Sequence, residues 1–130
     1  MLIRDVQIQE VESVRQFLCA NGWEHRVGSA EAFAQLLAHS QRTAVAVVDN
    51  KFVGFARAIT DGISNGYLSM VVVSQEHRLQ GVGRALVKHI TGDDPRITWV
   101  LRAGREGAIE FFAKLGFKVS SIAMERLRDS

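Results

Sequence analysis

Val71-Val72-Val73-Ser74-Gln75-Glu76-His77-Arg78-Leu79-Gln80-Gly81-Val82-Gly83-Arg84-Ala85-Leu86 reads as an apolar strand, a short polar turn and a glycine-punctuated entry into an amphipathic helix. That order brings several free backbone N–H groups to a helix N-terminus, where donors and partial positive charge suit a phosphate. Gly81 and Gly83 lack Cβ atoms, so the backbone can approach a bulky anion closely. Arg78, Gln80 and Arg84 add cationic and amide donors around the same spot. The stretch predicts a diphosphate cradle. It is not the dinucleotide fingerprint, whose third small residue would fall at Leu86, and it lacks the Gly-Lys-Ser/Thr of a P-loop.

Outward from this stretch the elements alternate. On its C-terminal side the spacing predicts a helix over Val82–Ile90, ended by Gly92-Asp93-Asp94-Pro95. Ile97–Ala103 is an apolar strand; a helical crossover makes it parallel to the strand before the turn, in a right-handed β-α-β unit. Ala108, Phe111, Phe112 and Leu115 recur at helical spacing and stop at Gly116. Phe117–Leu127 is expected to supply one bent or two short strands. On the N-terminal side, Tyr67–Val73, Phe52–Thr60 and Thr43–Val48 read as an antiparallel meander joined by Asp61–Gly66 and by a hairpin at Asp49-Asn50-Lys51. Residues 2–8 predict a first strand and Glu10–Asn21 a helix. Trp23–Gly28 reads as a connection, and Ser29 as the cap of a second helix ending near Ser40.

Bulk properties fit one globular domain over residues 1–130, with 47% hydrophobic and 23% charged residues. A net charge of +2, spread along the chain, argues against a nucleic-acid or anionic-membrane partner. A single Cys19, on the apolar side of a helical pattern, excludes an internal disulfide, and no Cys/His cluster has metal-ligand spacing, so no metal is expected. Met1–Asp5 lacks the apolar core of a signal peptide, and no apolar run approaches a membrane span, so the expected location is the cytoplasm.

Arg78-x-x-Gly81-x-Gly83 after a strand resembles the cofactor signature of the GNAT superfamily, the N-acetyltransferases that use acetyl-coenzyme A. About 25 residues later, Ala108-x-x-Phe111-Phe112-x-x-x-Gly116-Phe117 resembles the family's second motif, a helix ending in Gly-Phe. The element order agrees over nearly the whole chain. Gly54-Phe55-Ala56-Arg57 with Thr60-Asp61 and Tyr67-Leu68 looks like a branch of small single-domain members. The resemblance implies an α/β fold with a mixed central sheet, an antiparallel meander plus a parallel, splayed strand pair, and about four helices. It also implies acetyl-coenzyme A as co-substrate. Its pantetheine arm would lie along the backbones of Val71, Val72 and Val73. Its diphosphate would lie on Leu79, Gln80, Gly81, Val82, Gly83 and Arg84, beside Arg78, with Phe112 in contact with the cofactor.

Three positions depart from the family pattern. Gln75 stands where many members have proline, and Arg105 where many have a cofactor-contacting asparagine. Phe112 stands where many carry the tyrosine that protonates the departing thiolate. A thiolate with pKa near 8.5 leaves tolerably well unaided, and a missing acid typically costs about 10²–10⁴ in rate.

An amine of pKa near 10 must shed a proton to attack a thioester. Asp61 ends the strand before the cofactor strand and could hold the amine or take its proton; as a turn former it could equally cap Gly62. Tyr67 could relay a proton or wall the pocket. Glu24 and His25, in the inter-helix connection that borders the acceptor site in the family, are substrate candidates or solvated loop residues. His77 belongs to the diphosphate turn. The expected function is acetyl transfer from acetyl-coenzyme A to a small-molecule amine by direct attack in a ternary complex. The alternatives are a non-catalytic acyl-coenzyme A module that regulates a partner and a protein N-acetyltransferase. A homodimer is left open.

Overall fold

A computed structural model describes residues 1–129. Strand β1 (Leu2–Arg4) opens the chain, followed by one 3-10 turn (Ile8–Glu10) and helix α1 (Val11–Leu18). A wide turn over Cys19–Trp23, broken by Gly22 at φ +87°, leads into the single-turn α2 (Glu24–Val27) and then α3 (Ala30–Ala38). The Ser29 hydroxyl caps α3 by accepting from the Ala32 N–H at 3.1 Å. The meander is β2 (Arg42–Val48), β3 (Lys51–Thr60) and β4 (Asn65–Val73). Then come α4 (Val82–Thr91), β5 (Thr98–Leu101) and α5 (Ala108–Ala113).

The five strands stand in chain order, antiparallel from β1 to β4, with β5 parallel to β4. The β2–β3 hairpin closes through Asp49 and Asn50 at φ +51° and +62°, left-handed values that match the twist of the strands. Strand alternation gives the sheet two different cores. One face packs Ala56, Ala58 and Leu68 against Val82, Leu86 and Ile90 of α4. The other packs Val45, Phe55, Met70 and Val72 against Val14 and Leu18 of α1 and Phe33 of α3. No helix is long and apolar enough to cross a membrane among the described residues.

Four local expectations change. The first strand covers only Leu2–Arg4, because the chain turns at Gln7, whose N–H is taken by the Glu10 carboxylate at 2.9 Å. Helix α1 stops at Leu18 rather than Asn21, since the Asn21 side chain turns back to donate to the Phe17 carbonyl at 2.8 Å. The Trp23–Gly28 connection contains α2. The largest difference is at the C-terminus, where Phe117–Leu127 forms no strand. Its alternation breaks at Ser120, whose hydroxyl accepts from the Ile122 and Ala123 N–H groups at 3.1 and 2.9 Å. Val119, Ile122, Met124 and Leu127 are all exposed, and β5 remains a sheet edge.

Candidate active site

The sheet splits where the two parallel strands part. β4 pairs with β5 from Asn65 to Leu68, against Thr98 to Leu101, and with nothing on that side afterwards. From Ser69 to Val73 it keeps only β3 as a neighbour. Its free backbone groups there can bond an amide-bearing chain as an added strand would. A cavity of about 370 Å³ opens beside this half of β4, bounded by Val71 and Val73, the α5 rings Phe111 and Phe112, and the first turn of α4. Every residue expected to hold the cofactor lines it except Gln80. The Gln80 amide turns back to donate to the Glu76 carbonyl at 3.3 Å.

Charge at the α4 end is arranged for an anion. Helices α1, α2, α3 and α5 each carry an acidic residue in the first turn (Glu12, Glu24, Glu31, Glu110), which the helix dipole favours. Helix α4 has none; Arg84 stands in its first turn and Arg78 just before it. Its first N–H groups have no helical partner. Leu79 and Gly81 both take left-handed backbone, φ +64° and +84°, and Leu79 does so without a glycine's freedom while fully exposed. Such a conformation at a non-glycine residue costs of order 1–3 kcal/mol and concentrates at ligand sites. The turn is pinned by a Ser74 Oγ to His77 Nδ1 contact of 2.9 Å. Gly83 is small for an additional reason: a Cβ there would lie 2.9 Å from the Phe111 ring. Its substitution therefore narrows the gap between α4 and α5 as well as blocking the phosphate side, and the fold would not stay untouched.

On the α5 wall of the cavity, Phe112 meets Phe111 and Phe117 edge to face, with ring centroids 4.9 and 5.7 Å away. It is wall, with no proton to give. Arg105, also a lining residue, lies with its guanidinium 5.1 Å from the Trp23 ring, and Arg26 contacts the same ring at 5.6 Å. The β5–α5 loop thereby touches the α1–α2 connection. Trp23 is the residue of that connection that touches a lining residue, Arg105, whereas Glu24, His25 and Arg26 are exposed on α2 and line no part of the cavity. A lone tryptophan beside basic residues was the available signal, but its partner is some 80 positions away in the chain.

Asp61 is occupied elsewhere. Its Oδ1 accepts from the N–H groups of Ile63, Ser64 and Asn65 at 2.8, 2.8 and 3.1 Å, and its Oδ2 from the Ser64 hydroxyl at 2.7 Å. These bonds, the Ser64 hydroxyl first, hold the carboxyl well below the ordinary aspartate range. A carboxylate so satisfied is a poor proton acceptor, and the geometry gives Asp61 the β3–β4 turn. Tyr67 lies half-buried on β4 opposite Ile59 and Val100, one residue before the end of the β4–β5 pairing. Cys19 packs against the α1–α3 core and does not line the cavity.

This split sheet, with an anion-seeking helix start at its open end, defines an acyl-transfer fold. A family model described as an acetyltransferase (GNAT) domain matches residues 39–119, and the chain belongs to that family. Solved structures agree in fold over the full length. A GNAT family acetyltransferase from Streptococcus pneumoniae superposes with TM-score 0.82 at 24% identity, covering 99% of this chain and 97% of that one. A ribosomal-protein-alanine N-acetyltransferase from Brucella melitensis gives 0.72 at 15%, covering 98% of each chain. A Trypanosoma brucei acetyltransferase gives 0.69 at 22%, again covering 98% of each. No curated protein matches the chain.

Proposed function

We propose that the chain transfers an acetyl group from acetyl-coenzyme A to a small-molecule amine by direct attack in a ternary complex. The observation that carries this reading is the split between β4 and β5, open at the N-terminus of α4. The Ser69–Val73 backbone offers donors and acceptors to the pantetheine amides, and the Arg78–Arg84 turn offers N–H groups and guanidinium charge to the diphosphate. An unpaired β4 N–H near the closed end can stabilise the oxyanion that develops on the acetyl carbonyl. Cys19, packed away from the cavity, supports attack by the amine itself rather than an acyl-enzyme. With Asp61 committed to its turn, the amine proton leaves through ordered water, with the Tyr67 hydroxyl as the nearest titratable side chain on β4.

The test pairs calorimetry of acetyl-coenzyme A with a thiol-release assay against amines, polyamines, amino acids and peptides. Saturable binding with turnover of at least one amine is the expected result. A second reading, an acyl-coenzyme A module that regulates a partner, is favoured by the aromatic wall at Phe112, which supplies no acid. Binding without turnover of any acceptor would decide for it.

A further inference from the structure

Arg57 is the most buried cation among the described residues, only 6% exposed, in the middle of β3. Its partners are neutral. Nε donates to the Ser40 hydroxyl at 2.8 Å, and Nη1 to the Ser69 hydroxyl at 2.7 Å. The Ser40 proton is already used on the Leu36 carbonyl at 2.8 Å. The ion pairs among the described residues join Arg4, Arg15, His89, Arg96 and Arg102 to carboxylates, and none includes Arg57. Burying a guanidinium without a counter-ion is costly, and burial does pull Arg57 below the usual arginine range. Its Nη2 makes no hydrogen bond, yet it is not among the polar atoms sealed from solvent. The Nη2 donors are therefore left without a protein partner in a desolvated site that holds no counter-ion side chain.

Arg57 pairs with Met70 and Ala58 with Leu68, which leaves Ser69 as the extra residue of a β-bulge. Leu68 is also the last β4 residue paired with β5, so the Arg57–Ser69 contact sits at the closed end of the split. With its diphosphate held at the α4 end, the carrier's thioester would lie toward this closed end. Ile59, Tyr67 and Val100 share the Arg57 face of the sheet by register, and Ile59 and Val100 stay 47% and 45% exposed. They form an open apolar shelf beside the guanidinium. At the rim Arg105 and Glu106 both line the cavity, Asp61 is spent on its turn, and neither carboxylate is paired with Arg57.

We propose that the acceptor carries a carboxylate a few bonds from its amine, and that the Arg57 guanidinium, aligned by Ser69, binds that carboxylate at the apex of the split. This rests on the acetyl-transfer reading above. The experiment measures kcat/KM for matched pairs, free α-, β- and γ-amino acids with polar and apolar side chains against their carboxamides, with acetyl-coenzyme A binding measured on the same preparation. Wild type should prefer the acid by about 10- to 100-fold, the range of one charge-assisted, two-donor contact. Arg57→Met should bring the ratio within about threefold of unity, Arg57→Lys should keep part of it, and Ser69→Ala should reduce it several-fold. Should Arg57→Met fail to fold, the wild-type ratio, Arg57→Lys and Ser69→Ala still carry the test. Equal rates for acids and amides, a preference for polyamines, or an undiminished ratio in Arg57→Met would overturn the proposal. So would turnover of other amines with none for any acid. Loss of acetyl-coenzyme A binding in wild type would instead strike the acetyl-transfer reading itself.

Discussion

The two faces of β4 are built by different means. Toward α4 and α5 the strand presents Val71 and Val73, facing the α5 rings Phe111 and Phe112 and the first turn of α4. Toward α1 and α3 it presents Ser69 and Tyr67, completed by Arg57 from β3 and Ser40 beyond α3. In the function proposed above, the first face would take the carrier, through backbone groups and charge, and the second the acceptor, through side chains from three elements. Backbone recognition tolerates many side chains, whereas side-chain recognition changes with a single substitution.

Substitutions on each face should separate the two roles. Leu86 is fully buried between α4 and the sheet, and Leu86→Ala should lower the unfolding free energy by about 2–5 kcal/mol, read by urea denaturation. A loss below about 1 kcal/mol would mean that α4 does not pack on the sheet through Leu86 as described. Gly83→Val pushes into Phe111 and should cost about 1–3 kcal/mol in stability. Its acetyl-coenzyme A affinity should fall at least about tenfold by calorimetry, because the same methyl groups crowd the phosphate side. Unchanged affinity in the folded variant would move the diphosphate elsewhere. Arg78→Ala and Arg84→Ala should each weaken the cofactor about three- to tenfold, and the differences should shrink in 0.5 M salt since both side chains are exposed.

The smallest effect belongs to Asp61. Its folded-state pKa is depressed, so its stabilisation of the turn is complete above the unfolded value near 4 and fades as pH falls toward the folded value. Asp61→Asn should therefore be slightly less stable than wild type at pH 7, with the two melting temperatures converging below about pH 4. The acidic limb of kcat/KM should remain in the variant. Its disappearance would return Asp61 to the reaction.

The same contrast explains what could be read from the chain alone. Val71–Leu86 carries its meaning locally: a strand, a turn and a helix start within sixteen residues point to both the β-α-β unit and one wall of the cavity. The meander was equally plain from β-branched runs and an Asp-Asn turn. Arg57 was visible only as part of a pattern, since nothing local says that Ser40 and Ser69 will meet it or that no carboxylate will. Trp23 and Arg105 come together only when the β5–α5 loop folds over the α1–α2 connection. Asp61 misled because a turn residue and a catalytic carboxylate look alike until their hydrogen bonds are counted. The terminal strands failed for a related reason. Apolar residues at 119, 122 and 124 suggest a strand, but the Ser120 turn shifts their phase, and a strand exists only where an edge receives it.

The split in the sheet also has a thermodynamic signature. Without ligand, the outer half of β4 is a seam at which amide hydrogens facing β5 exchange with solvent although their neighbours lie deep in the sheet. An acyl carrier bound there would close that seam with hydrogen bonds, so new protection should appear at the amides beyond Leu68 that face away from β3 and not at those already paired with it. Because the ligand binds only the folded chain, the midpoint of thermal unfolding rises with its concentration, by about 2.7 kcal/mol of added stability at a hundred times Kd. The seam would thus report on whichever carrier binds there, before any acceptor is known.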